Sequence, residues 1–202
     1  MKKTAIALSI ILTAVCLAGC ARKQPAPASN IQFSALIVVQ EMGVVEQNRV
    51  YFTRDRQRVD ILKPDKGISA IIVRFDKGVA WVLVPTAKKY LESPLRPQNR
   101  NPLAYYPDRI ISWTSLGDTT IDGHPAMKEA LTYKNGGDPE MTITRWFATD
   151  INWPVRAEAI DGSWKMYYKD IKVGAQDPSL FEVPAGYTMI PSPPETAPAD
   201  GK

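Results

Sequence analysis

The sequence predicts a mainly β domain built on one wide, curved antiparallel sheet, and three observations carry that expectation. Turn signals recur at short intervals, at Asp76-Lys77-Gly78, Gly117-Asp118, Asp122-Gly123, Asn135-Gly136-Gly137 and Asp161-Gly162, which suits strands joined to their next neighbours. Apolar and charged residues alternate in Arg58-Val59-Asp60-Ile61 and Val155-Arg156-Ala157-Glu158-Ala159, the period-two signature of half-buried strands. Ten strand-like segments are present, and a sheet that wide curls or closes because strand twist accumulates.

Taken in order, the chain begins with export machinery rather than fold. Met1-Lys2-Lys3 is a basic start and Thr4 to Val15 an apolar stretch of about a dozen residues, too short to span a bilayer core of roughly 30 Å. Leu17-Ala18-Gly19-Cys20 closes it with a cysteine behind a small residue. This resembles the lipoprotein signal-peptidase pattern, which implies a signal peptide over 1–19 and diacylglycerol on the Cys20 thiol. Two or three acyl chains, at about 0.8 kcal/mol per buried CH₂, make release from a membrane negligible. Ala21 rather than Asp follows the cysteine, which resembles sorting to the periplasmic face of the outer membrane. Residues 20–30 then read as a lipidated, Pro-bearing tether.

The domain is expected over 31–190. Its candidate strands are Phe33 to Gln40, Arg49 to Thr53, Arg58 to Leu62, Ala70 to Phe75, Val79 to Val84 and Lys88 to Glu92, then Ala126 to Tyr133, Thr142 to Ala148, Val155 to Ile160 and Lys165 to Ile171. Ala70-Ile71-Ile72-Val73 and Val79 to Val84 are apolar on both faces, so something must cover the second face. The best cover is Asn101 to Trp113, where Leu103, Tyr106, Ile110 and Trp113 fall at helical spacing. Pro107 makes this either one kinked helix or two short turns. Residues 191–202, with four prolines, read as a disordered tail. No internal repeat of twenty to fifty residues is visible.

Composition excludes several functions. Loss of residues 1–19 leaves 183 of the 202 residues and a net charge of about +2, so there is no electrostatic case for nucleic acid. Cys16 is discarded and Cys20 is consumed by lipid, so the domain keeps no thiol for a disulfide, redox cycle or metal. The sole histidine, His124, follows a hairpin corner at Asp122-Gly123 and reads as a turn residue. Gly-x-Ser-x-Gly, His-Glu-x-x-His, EF-hand and Gly-rich phosphate motifs are absent, so neither an enzyme nor a cofactor is expected. Arg54-Asp55-Arg56-Gln57-Arg58 suits anionic headgroups or, more ordinarily, a strand edge protected by charge.

A set of fold patterns then carries a resemblance. They are Gly117-Asp118-Thr119-Thr120-Ile121-Asp122-Gly123-His124-Pro125-Ala126-Met127-Lys128, Arg145-Trp146-Phe147, Trp153-Pro154-Val155 and the closing Ser179-Leu180-Phe181-Glu182-Val183-Pro184-Ala185-Gly186-Tyr187. Over most of Ile31 to Ile190 the chain resembles the LolA/LolB-like superfamily of lipoprotein carriers and receptors, in an uncharacterised periplasmic branch. The resemblance implies a half-open β-barrel whose concave apolar face is plugged by short helices and, in characterised relatives, receives acyl chains. Phe75, Trp81, Leu83, Tyr106, Ile110, Trp113, Trp146 and Trp164 are the residues expected to line such a cavity, although aromatic residues equally serve to pack a core. The expected function is a membrane-anchored protein that binds an acyl chain, lipid or lipoprotein without catalysis. The alternative is an envelope protein-interaction or stress-sensor module with a packed interior.

Overall fold

The computed structural model describes residues 31–64, 67–95, 110–134 and 139–191. The expected signal peptide, the tether with Cys20, lid residues 101–109 with Tyr106, the Asn135-Gly136-Gly137 turn and the tail beyond Pro191 lie outside the described residues. Twelve strands form one sheet: β1 (Phe33–Glu41), β2 (Val44–Phe52), β3 (Arg56–Ile61), β4 (Ala70–Arg74), β5 (Val79–Val84), β6 (Lys89–Pro94), β7 (Ile110–Ile121), β8 (His124–Tyr133), β9 (Met141–Ala148), β10 (Trp153–Ala159), β11 (Trp164–Val173) and β12 (Thr188–Ile190). Their spatial order is β12-β6-β5-β4-β3-β2-β1-β11-β10-β9-β8-β7. Two antiparallel meanders, β1 to β6 and β7 to β11, are thus zipped together by the long β1–β11 pairing, and β12 joins the β6 edge in parallel.

Tight turns fix the registers. Met42-Gly43 and Asp122-Gly123 have positive φ at both residues, as a two-residue hairpin turn of the type matched to strand twist requires. The first of these lets β2 begin at Val44, five residues before the alternating pattern announces it. Gly117-Asp118 is not a turn. It lies inside β7, where the pairing with β8 slips between Ser115 and Gly117, and the φ of 104° at Gly117 marks a bulge.

The expected helix over Asn101 to Trp113 is also corrected where it is described. Ile110 and Trp113 belong to β7, opposite Tyr133 and Leu131 of β8. Pairing with a partner strand outweighs the helical spacing of four apolar residues, whose period alone is a weak signal. Among the described residues, the C-terminal segment covers one face of the doubly apolar strands. A short 3₁₀ turn, Pro178–Phe181, is N-capped by Asp177 and carries Phe181 into full burial against Ala70, Ile72, Trp81 and Leu83.

The sheet curls toward one face. Phe52 on β2 and Trp153 on β10 are three strand steps apart, roughly 14 Å on a flat sheet. Their rings nevertheless lie 5.1 Å apart, and Phe33 stacks on Phe52 at 4.8 Å. That face is therefore concave, and it carries the main core, including Phe33, Phe52, Leu131, Ile143 and Tyr168. The sheet stays open between β7 and β12, as a half-barrel does.

Candidate functional site: the concave face

Strand alternation and register assign each side chain to a face. On the β2 to β6 half, Val50, Val59, Ile71, Val82 and Leu91 stand opposite one another in a single row on the concave face. Val50 is buried, whereas the other four keep partial exposure. Five adjacent strands thus present an unbroken apolar row that the core does not fully use. The neighbouring row, Tyr51, Arg58, Ile72, Trp81 and Glu92, points the other way. There the Trp81 indole donates to Glu92 at 2.8 Å, and the C-terminal segment closes over the row.

On the β7 to β11 half the concave face continues through Trp113, Leu131, Ile143, Ala157 and Met166. It includes two charged residues, Glu129 and Arg145, both fully buried. The Glu129 carboxylate accepts from Arg145 Nε and from the Trp113 indole. Among the described residues, Arg145 Nη1 and Nη2, the Tyr133 hydroxyl and Trp153 Nε1 are buried with no well-formed hydrogen bond, the Tyr133 hydroxyl lying beside the Arg145 side chain. Burial pushes the Tyr133 hydroxyl's pKa up, with the charge of Arg145 and hydrogen bonding from its side chain opposing it. The hydroxyl accordingly keeps its proton and remains a donor.

The eight residues expected to line a cavity are divided by this geometry. Ile110, Trp113 and Trp164 pack against the concave core. Trp81 and Leu83 lie on the opposite face beneath Phe181. Trp146 is on the convex side, between Lys128 at 5.2 Å and Arg156 at 4.5 Å from its ring. Phe75 is exposed beyond the end of β4, and Tyr106 lies outside the described residues. Sequence reasoning missed Arg145 and the row through Val82. A signal for the first exists, since Glu129 and Arg145 fall in phase with Met127, Leu131 and Tyr133 and with Ile143 and Phe147 on paired strands.

The convex side offers different chemistry. A cleft of about 290 Å³ beside the β7–β8 turn mixes His124, Arg156, Lys165 and Lys169 with apolar residues such as Ile121 and Val155. His124 opens β8 directly after its turn, with Nδ1 2.7 Å from Asp150. Among the described residues no group of three or more His, Cys, Asp or Glu side chains is gathered as a metal site would need.

No family model matches the chain, and no curated protein matches it. Solved structures do. An uncharacterized conserved protein from Thermus thermophilus superposes with a TM-score of 0.53 and 14% identity, over 80% of this chain and 90% of that one. MucB, in its complex with MucA from Pseudomonas aeruginosa, gives 0.53 and 13% over 78% of this chain, which spans only 57% of the MucB chain. The lipoprotein LppX of Mycobacterium tuberculosis gives 0.42 and 17% over 68% and 85%. At 13–14% identity the likeness to the first two is one of fold alone, a large curved sheet that is not closed into a barrel, as the resemblance read in the sequence implies.

Proposed function

We propose that this chain is a lipid-anchored envelope protein that seats the acyl part of a lipid or lipoprotein on its concave face and catalyses no reaction. The observation that carries this reading is the partly exposed row Val59, Ile71, Val82 and Leu91, which extends the concave core across consecutive strands. Burying about 300 Å² of acyl surface contributes roughly 7 kcal/mol, enough for useful affinity after ordering costs. The N-terminal lipobox supports a location at the periplasmic face of the outer membrane, with Cys20 as the acylated residue.

A second reading is favoured by a different feature. The β1–β2 and β10–β11 hairpin tips meet at one end of the sheet, where Met42, Val44, Val45 and Ile160 are exposed together. A protein partner in the envelope would cover them, and MucB is a fold relative solved with such a partner. One experiment separates the two. The Cys20→Ser chain, purified from a periplasm, is analysed by native mass spectrometry and challenged with a fluorescent fatty acid, beside Ile71→Asp. Bound lipid near one-to-one, or probe uptake lost in Ile71→Asp, is expected; a clean apo mass with no probe uptake overturns the acyl reading and leaves the tips as the site.

A further inference from the structure

We propose that Arg145 and Tyr133 form a polar subsite on the concave face that receives ester carbonyl oxygens, so that the protein selects acyl esters of glycerol over bare hydrocarbon chains. This rests on the acyl-binding reading and names the head chemistry of the same site. Buried polar groups in folded proteins are almost always hydrogen-bonded, because leaving a donor unmet costs its full desolvation. Here, among the described residues, the two terminal nitrogens of a fully buried guanidinium and the phenol beside it hold no well-formed hydrogen bond beyond their mutual contact, which leaves most of their donor capacity unmet on one face. Trp153 Nε1, whose ring packs on Phe33 of the same core, adds a fourth unmet donor atom among the described residues. The chain supplies donors on a surface otherwise built for acyl chains and leaves the acceptors to a ligand.

Charge decides which acceptor fits. Glu129 already neutralises Arg145 through Nε, so the pair is uncharged as a unit. A carboxylate or phosphate placed on Nη1 and Nη2 would bury an uncompensated negative charge, which is strongly unfavourable in a low dielectric. A neutral carbonyl oxygen satisfies the same N–H groups without that penalty. The fork of a guanidinium also suits two oxygens side by side, as the two ester carbonyls of a diacylglycerol unit are. Such a unit occurs in a phospholipid and in the S-diacylglyceryl cysteine of another lipoprotein.

The test uses the Cys20→Ser chain and displacement of a fluorescent fatty acid by dioleoyl phosphatidylglycerol or by its diether analogue, which has the same chains and head but no carbonyls. The expected result is a preference of about tenfold for the diester, the size of one or two net hydrogen bonds. Tyr133→Phe, a change that removes only the hydroxyl, is expected to narrow that ratio about threefold; Arg145→Gln, checked for folding by circular dichroism, is expected to abolish it. A synthetic S-diacylglyceryl cysteine peptide as a third competitor identifies the source of the ester. Equal displacement by diester and diether, or an unchanged ratio in Tyr133→Phe, overturns the subsite while leaving acyl binding intact. Displacement by neither lipid, with no uptake of the probe, overturns the acyl reading itself.

Discussion

Arg74 and Arg145 are both buried on this sheet, yet their surroundings differ in kind. Arg74, at the end of β4, is saturated by its own chain. Its Nε and Nη2 grip Asp76 at 2.8 and 2.6 Å, and Nη1 reaches the Phe181 carbonyl at 3.3 Å and the Glu182 carboxylate. Arg145, at the centre of β9, has one partner on Nε and, among the described residues, no well-formed hydrogen bond on its two terminal nitrogens. The first arginine holds the C-terminal segment onto the convex side; the second faces the concave side. Saturation marks a structural clip, and incomplete saturation under full burial marks a place prepared for something else.

Breaking the comparison at Arg145 gives the largest effect. Glu129→Gln removes the carboxylate bonded to a fully buried guanidinium and is expected to cost about 4 kcal/mol, read as the shift of a urea midpoint. Replacing both members together, as Glu129→Leu with Arg145→Met, is expected to restore stability to within about 1 kcal/mol of the native chain or above it. Recovery in the double variant would mean that the pair is retained for its role on the binding face. A double variant as unstable as Glu129→Gln would instead make the pair a structural necessity.

How far this was legible in the sequence follows from the kinds of signal involved. Strand alternation and turn residues are local, so ten of the strands are legible in the sequence, although β2 starts five residues before its pattern, and the curvature follows from their number. β7 is not legible, because Ile110 and Trp113 continue a helical spacing and nothing local reveals that β8 pairs with them. Face assignment needs register, which one residue of slip inverts. Hence the pattern Val79 to Val84 does not tell that Val82, and not its neighbour Trp81, holds the concave position. Phe181 sits in a closing segment whose pattern was recognised, but that it caps Trp81 and Leu83 depends on the long stretch of intervening chain. Glu129 and Arg145 were readable in principle as charges in phase with apolar neighbours.

The clip at Arg74 supplies the next effect, and it depends on pH. The hydrogen bonds from Arg74 hold the Asp76 carboxyl below the usual carboxylate range despite its partial burial. A group with a depressed folded pKa contributes stability above its unfolded value, near 4, and loses it as pH falls through the folded value. The native chain should therefore lose part of its stability on acidification from about pH 4 downward. Asp76→Asn is expected to cost about 2 kcal/mol at neutral pH and to flatten that acid dependence. Thermal melts from about pH 2 to 7 on both proteins measure it. An acid limb of equal steepness in Asp76→Asn would move the linkage to other carboxylates.

Arg156 completes the series as the solvent-facing counterpart. It bonds Glu158 at 2.8 Å and lies over the Trp146 ring at 4.5 Å, opposite Lys128, with about a third of its side chain exposed. Water screens such an ion pair and can replace its hydrogen bonds when it is broken, so the ring contact carries most of the effect. Arg156→Gln is expected to cost about 0.5 kcal/mol and to leave the diester-to-diether preference unchanged, because the residue stands on the other face of the sheet from Tyr133 and Arg145. A loss near that of Glu129→Gln would show that the convex stack of Lys128, Trp146 and Arg156 is as integral to the sheet as the buried pair. The small cost expected here follows from access to solvent, the one condition that separates this arginine from the two buried ones.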